Sequence, residues 1–323
     1  MANLNFTPLR AALILALALP LSVCQCASRN TAVSPGVSAP EGAHQAGESR
    51  FKFWRARSSK EQPLLTPERL EAMGDLSLKN RDYETSLIHF LQIIKDYPER
   101  YDIRYKIGVI FLLNNQLEAA RRELAVVLVK RPDMLEAHEA MGLVHLQEKH
   151  YPLALEEFRL VLAQDPQRAK ARHFMGVAFL ETGQTDRAIT ELKRAAELDR
   201  GQVITYVALG QAHVNQKNYS QAIEWLKKGQ TLDPNNSKIN HHLGLALAGL
   251  KRYDEALSIF KKAGDEAQAY NNIGVHYFME GKYEEAAKCF QRALELRPVF
   301  YGEAKANLQR ALEKLQQSRG NDG

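Results

Sequence analysis

One glycine register runs through most of this chain. Gly74, Gly108, Gly142, Gly176, Gly210, Gly244 and Gly274 follow one another at intervals of 34 residues, apart from a last interval of 30. Glycine fills about 7% of positions in an average protein, so seven coincidences in register have a chance probability on the order of 10⁻⁸. Periods of this length mark arrays of one small structural unit. A unit this small cannot bury its own apolar face, so it must stack on its neighbours.

With the glycine as position 8 of a unit beginning at Pro67, other positions fall into line. Position 20 is Ser86, Ala120, Ala154, Ala188, Ala222, Ala256 and Ala286, and position 24 is Phe90, Leu124, Phe158, Leu192, Leu226, Phe260 and Phe290. Position 7 is Met, Ile or Leu throughout, and position 32 is proline at Pro98, Pro132, Pro166, Pro234 and Pro298. Positions 4, 7, 8 and 11 share one face of a first helix, and positions 20, 24 and 27 share the facing stripe of a second. Small residues at 8 and 20 let the two backbones approach closely, the large residue at 24 fills the space beside them, and proline at 32 stops the second helix.

These residues resemble the tetratricopeptide repeat (TPR), a 34-residue helix-turn-helix unit, over residues 67 to 300. The resemblance implies an all-α fold: a TPR solenoid wound as a right-handed superhelix, with about seven repeats and a C-terminal capping helix. The repeats are read as 67–100, 101–134, 135–168, 169–202, 203–236, 237–266 and 267–300, with the cap at 301–317, the whole TPR domain at 64–317 and a disordered tail at 318–323. Thr66-Pro67-Glu68 supplies a first helix start, with an N-cap, a proline at N1 and an acid in the first turn. Two departures carry expectations. Position 4, often Trp in the family, is Leu70, Arg104, His138, Arg172, Tyr206, Asn240 and Tyr270, which predicts looser packing in the middle of the array. The sixth unit is four residues short, with Gly264 breaking its second helix, which predicts a tighter joint or an altered superhelical angle there.

The ends of the chain read differently. Residues 1–26 carry Arg10 and then an apolar run from Ala11 to Val23. That run is too short to span a bilayer, which takes roughly 20 residues, and reads as a secretory signal peptide. Leu21-Ser22-Val23-Cys24 resembles a bacterial lipobox, with Val23 where Gly or Ala is usual; the resemblance makes Cys24 the lipidated residue, and plain export or a retained anchor are the alternatives. Gln25 after the cysteine points to the outer membrane under the usual sorting rule. Residues 27–63 lack periodicity and read as a flexible linker. Within it Arg50–Arg57 interleaves aromatic and basic residues, suited either to anionic headgroups or to a loose dock on the first repeat.

Composition excludes some classes of function. The net charge of +5 lies mostly in residues 1–63, which hold seven Lys/Arg against three Asp/Glu, leaving 36 against 35 in the remainder. A nearly neutral folded part argues against a nucleic-acid partner. Three cysteines make no disulfide framework, and Cys289 reads as a small packed hydrophobe. Phosphate-loop, dinucleotide, HExxH and GxSxG motifs are absent, so no catalytic residue, enzyme activity or cofactor is expected. No metal site is expected from the histidines either: His145 and His213 hold position 11, His138 holds position 4, and His173 and His241 lie two repeats apart.

In TPR proteins the first helix of each repeat lines the concave side, with positions 2, 5, 9 and 12 facing the groove. A clamp of Lys at position 5 and Asn at position 9, which some relatives use to grip a C-terminal carboxylate, is missing here. Position 5 reads Tyr105, His173, His241 and Asn271 in the second, fourth, sixth and seventh units. From the second unit on, position 9 is Val109, Leu143, Val177, Gln211, Leu245 and Val275, and position 12 includes Leu112, Leu146, Leu180, Val214 and Phe278. A long exposed apolar strip marks an interaction surface, so these residues predict a groove for an amphipathic helix or apolar segment of a protein partner. The alternative is that tight winding or the chain's own tether covers them. In layout the chain is similar to TPR lipoproteins of bacterial tight-adherence (Flp) and type IV pilus assembly, which implies a scaffold in the cell envelope, anchored to the outer membrane and facing the periplasm. A periplasmic accessory of polysaccharide synthesis or export, or a regulatory TPR subunit of a glycosyltransferase, are the rival readings.

Overall fold

The computed structural model describes residues 65–264, 266–297 and 301–321. The signal segment, the linker, the Arg50–Arg57 stretch and Cys24 lie outside the described residues. Among those described there are fifteen α-helices and no strand: α1 Pro67–Lys79, α2 Tyr83–Asp96, α3 Tyr101–Leu113, α4 Leu117–Lys130, α5 Leu135–Gln147, α6 Tyr151–Gln164, α7 Ala169–Glu181, α8 Thr185–Leu198, α9 Val203–Asn215, α10 Tyr219–Leu232, α11 Ser237–Gly249, α12 Tyr253–Lys262, α13 Glu266–Met279, α14 Tyr283–Leu296 and α15 Gly302–Asn321. No helix among them is long and apolar enough to cross a membrane.

The chain divides into two compact units, one ending at Ala140 and the other beginning at Met141. The first is cored by Leu70, Phe90, Ile93, Ile103, Ile107 and Ile110. In the second, one cluster gathers Leu226, Ile239, Leu243, Leu247, Phe260 and Ile273, and another sets Phe290 and Ala287 against Ala311 of α15. Each helix pair packs through the glycine at position 8. A β-carbon on Gly74 would come within 2.4 Å of the Phe90 ring, and one on Gly210 within 2.4 Å of Leu226. Where position 20 is serine rather than alanine, the buried Ser86 hydroxyl donates to the Gly74 carbonyl at 2.8 Å, so the close approach is kept without an orphaned polar group.

The turn between the two helices is the same device seven times. Position 15 has positive φ in every repeat: Arg81, Asn115, Lys149, Gly183, Lys217, Lys251 and Gly281. That left-handed residue closes the helix end by a hydrogen bond from the position 16 amide to the position 11 carbonyl, as in His150 N to His145 O at 2.8 Å and Asn218 N to His213 O at 2.8 Å. At the first helix the Thr66 hydroxyl accepts from Arg69 N at 3.4 Å.

Three of the residues at position 4 bond back to the connecting loop. His138 meets the carbonyl of Pro132 at 3.0 Å, Arg172 donates to that of Pro166 at 3.1 Å, and the buried Tyr206 hydroxyl donates to that of Arg200 at 3.1 Å. The cap helix does not end at Gln317 but runs to Asn321, since no proline intervenes and the Ser318 hydroxyl is absorbed by the Leu315 carbonyl. The exposed apolar strip is corrected in part, since Val109, Leu112, Leu143 and Leu146 are buried. In the short sixth repeat α12 has 10 residues against 14 in α10 and α14, and the chain turns into α13 through Gly264 at φ 113°.

Candidate functional site

Of the fifteen residues expected to line an open groove, six are buried and nine are half-buried. In the first unit Val109 and Leu112 are buried, and Tyr105 is half-buried. In the second, Leu143 is 0% exposed and Leu146 is buried as well. Further along the second unit successive first helices touch: α7 meets α9, α9 meets α11, α11 meets α13 and α13 meets α15.

His173 is a structural residue. It is 4% exposed, its ring packs edge-on against Phe174 at 4.9 Å, and its Nδ1 lies 3.1 Å from the Thr205 hydroxyl, which itself donates to Gln202 at 2.6 Å. With the Thr205 proton committed to Gln202, the ring donates from Nδ1 and stays neutral; burial pushes its pKa down to about 4. Asn271 is likewise taken: its amide donates to Glu303 at 3.2 Å and its carbonyl accepts from Asn307 at 3.1 Å, both on α15. The cap helix therefore occupies the groove register of the seventh repeat, and Val275 and Phe278 pack beside its Leu308.

Half-buried residues form a stripe on consecutive first helices of the second unit: Val177 and Leu180 on α7, Gln211 and Val214 on α9, His241 and Leu245 on α11. Burial also lowers the pKa of His241, which favours its neutral ring.

The first unit presents a different surface, which periodicity did not reveal. Glu71 and Asp75 of α1 both accept from Lys106 of α3, at 2.8 and 2.7 Å, while Arg100 bonds Glu71 at 2.6 Å and Asp102 at 2.7 Å. These bonds outweigh the partial burial of Glu71, which alone would disfavour its charge, and hold its pKa below the usual carboxylate range. The five groups form a partly exposed network worth little as isolated pairs but able to fix the joint between the first two repeats. Elsewhere, an open recess beside α8 mixes Arg172, Lys193 and Arg194 with Thr190, Glu191 and Glu197. Cys289 is half-buried and its thiol is pushed up to about 11 by burial, which makes it inert at neutral pH.

Seven α-hairpins, each closed by the same left-handed turn, define a helical-repeat protein of the interaction class. Family models described as tetratricopeptide repeat match residues 71–129, 114–169, 145–212 and 267–300, together more than half of the chain. The chain belongs to the tetratricopeptide repeat proteins. Residues 204–263 also match the model of anaphase-promoting complex, cyclosome, subunit 3. Among solved structures, a tetratricopeptide repeat protein from Parabacteroides merdae is similar at 14% identity and TM-score 0.55, covering 76% of this chain and 98% of its own. The APC/C hetero-tetramer Cut9-Hcn1 is similar at 18% identity and TM-score 0.56, covering 81% of this chain and 51% of its own. At such identities the likeness speaks to the fold alone. A comparison with curated proteins found no match. TPR proteins generally serve as non-catalytic scaffolds that bind other proteins, and no enzymatic family is indicated.

Proposed function

We propose that this chain is a protein-interaction scaffold of the bacterial cell envelope that holds an amphipathic or apolar segment of a protein partner over the stripe of α7, α9 and α11. The observation that carries the reading is the partly exposed run of Val177, Leu180, Val214 and Leu245 on successive helices, with the neutral polar groups of Gln211 and His241 between them. The molecule supplies its own precedent, since α15 lays an amphipathic face against the adjoining repeat. Envelope placement rests on the signal-like N-terminus and Cys24, and a role in pilus or secretion-system assembly rests on layout.

The test is co-purification from detergent-solubilised envelopes followed by mass spectrometry, comparing the native chain with Val177→Asp/Val214→Asp/Leu245→Asp and with the milder Leu180→Lys. Loss of the partner with unchanged circular dichroism supports the stripe. Recovery of the same partner at the same yield from Leu180→Lys and from the triple variant overturns it. A recovered secretin or pilus component supports the assembly role, whereas a polysaccharide synthase or export channel moves the scaffold to that system. Palmitate labelling against a Cys24→Ala control tests the anchor, and equal labelling of the two refutes lipidation at that residue.

A further inference from the structure

We propose that the turn between α5 and α6 binds one divalent transition-metal ion of the zinc class through His145, Glu148 and His150. The inference does not depend on the scaffold reading above. The left-handed turn described for all seven repeats brings positions 11, 14 and 16 together. Positions 11 and 14 lie one helical turn apart on the same face, and the residue at position 15, here Lys149 at φ 63°, swings position 16 back over the helix end. The hydrogen bond from His150 N to His145 O at 2.8 Å fixes that return in the backbone.

Most repeats put unrelated groups at these three places, such as His213, Gln216 and Asn218 in the fifth or Tyr277, Glu280 and Lys282 in the seventh. In the third repeat all three are metal-ligating side chains. Their ligand atoms lie within 4.8 Å of one another. Glu148 Oε2 is 3.2 Å from His150 Nδ1 and 3.7 Å from His145 Nδ1. A tetrahedral ion with ligands at about 2.0–2.2 Å separates those ligands by about 3.3–3.6 Å, so two of the three edges are nearly at length already.

The donor set selects the ion. Two imidazole nitrogens and one carboxylate oxygen suit zinc and its neighbours, whereas magnesium and calcium demand oxygen ligands throughout. His145 and Glu148 are 12% and 16% exposed and form a firm wall, while His150 at 59% leaves the entry open, with solvent to complete the coordination. The rival reading is a plain imidazole–carboxylate pair, already visible between His150 and Glu148.

The experiment is a zinc titration of the chelator-stripped full chain, prepared without affinity-tag histidines and read by competition with a chromogenic chelator, with magnesium as the control ion. One equivalent of zinc held by the native chain, with affinity weakened about tenfold or more in His150→Ala, is the expected result, since even partners outside the coordination sphere typically cost about 10–100-fold. His150 is exposed, so that variant keeps its fold, and circular dichroism verifies it. Glu148→Gln keeps the side-chain shape and should weaken binding similarly. Absence of uptake, or uptake with unchanged affinity in His150→Ala, overturns the site and leaves only the imidazole–carboxylate pair.

Discussion

At the scale of single residues, the most consequential groups are those whose chemistry is set by depth rather than by register. His173 shares a helix face with residues that do reach solvent, yet it is sealed between Phe174 and Thr205. Its folded pKa of about 4 lies below the unfolded value near 6.5. The unfolded chain therefore takes up a proton as pH falls through 6.5 while the folded chain does not, and the stability present above pH 6.5 drains away down to about pH 4. By linkage this single group withdraws on the order of 3 kcal/mol over that window. Urea titrations at pH 7.5 and 4.5 should show a smaller loss for His173→Gln than for the native chain, and parallel losses would mean that His173 does not govern the acid limb. Glycine at 8, alanine at 20 and phenylalanine or leucine at 24 were legible in the sequence because steric contact demands those sizes. The burial of His173, Asn271 and Leu143 was not, because periodicity reports which face a residue occupies and not how closely the next helix leans on it.

At the scale of elements, the turns and the short sixth repeat carry the information. Two of the seven left-handed positions are glycine and five are not, so the turn is held by the hydrogen bonds that close the helix rather than by residue choice. This is why the third-repeat cluster escaped a reading by helical faces: its three side chains meet only once the turn folds position 16 back. The joint after α12 works differently. Gly264 adopts φ 113° and a β-carbon there would meet nothing within 4 Å, so any cost of substitution is purely conformational. Gly264→Ala should destabilise the second unit by about 1–2 kcal/mol. Gly302→Ala, equally uncrowded but at the first position of α15, should be neutral or mildly stabilising. Equal urea midpoints for the two variants would show that the α12–α13 joint imposes no backbone strain. The missing four residues were legible as a shortened repeat, but the sequence left open that α12, and not the linker alone, absorbs the loss.

At the scale of the molecule, the question is what an apolar face does when the array ends. The seventh repeat answers by lending its face to α15: Phe290 is shielded with Ala311 and Leu308 beside it, and the Asn271 amide is satisfied by Glu303 and Asn307. A terminal repeat without such cover exposes its stacking surface. The sequence announced the cap through its unpartnered amphipathic period, yet placed the Asn271 register in an open groove, because nothing in a periodic pattern distinguishes a partner's helix from the chain's own. Removing residues 302–323 should strip hydrogen-exchange protection from α13 and α14 while leaving α7 and α9 protected, and the uncovered face should drive self-association visible by light scattering. Supplying α15 in trans, as a synthetic peptide of residues 302–321, should restore protection to α14 and return the truncated chain to its original mass. Restoration would demonstrate that a first-helix face of this array accepts a free amphipathic helix, which is the physical act that the proposed partner must perform on Val177, Val214 and Leu245. If α14 keeps its protection without the cap, burial of Phe290 does not depend on α15, and the precedent for a docked helix is lost with it.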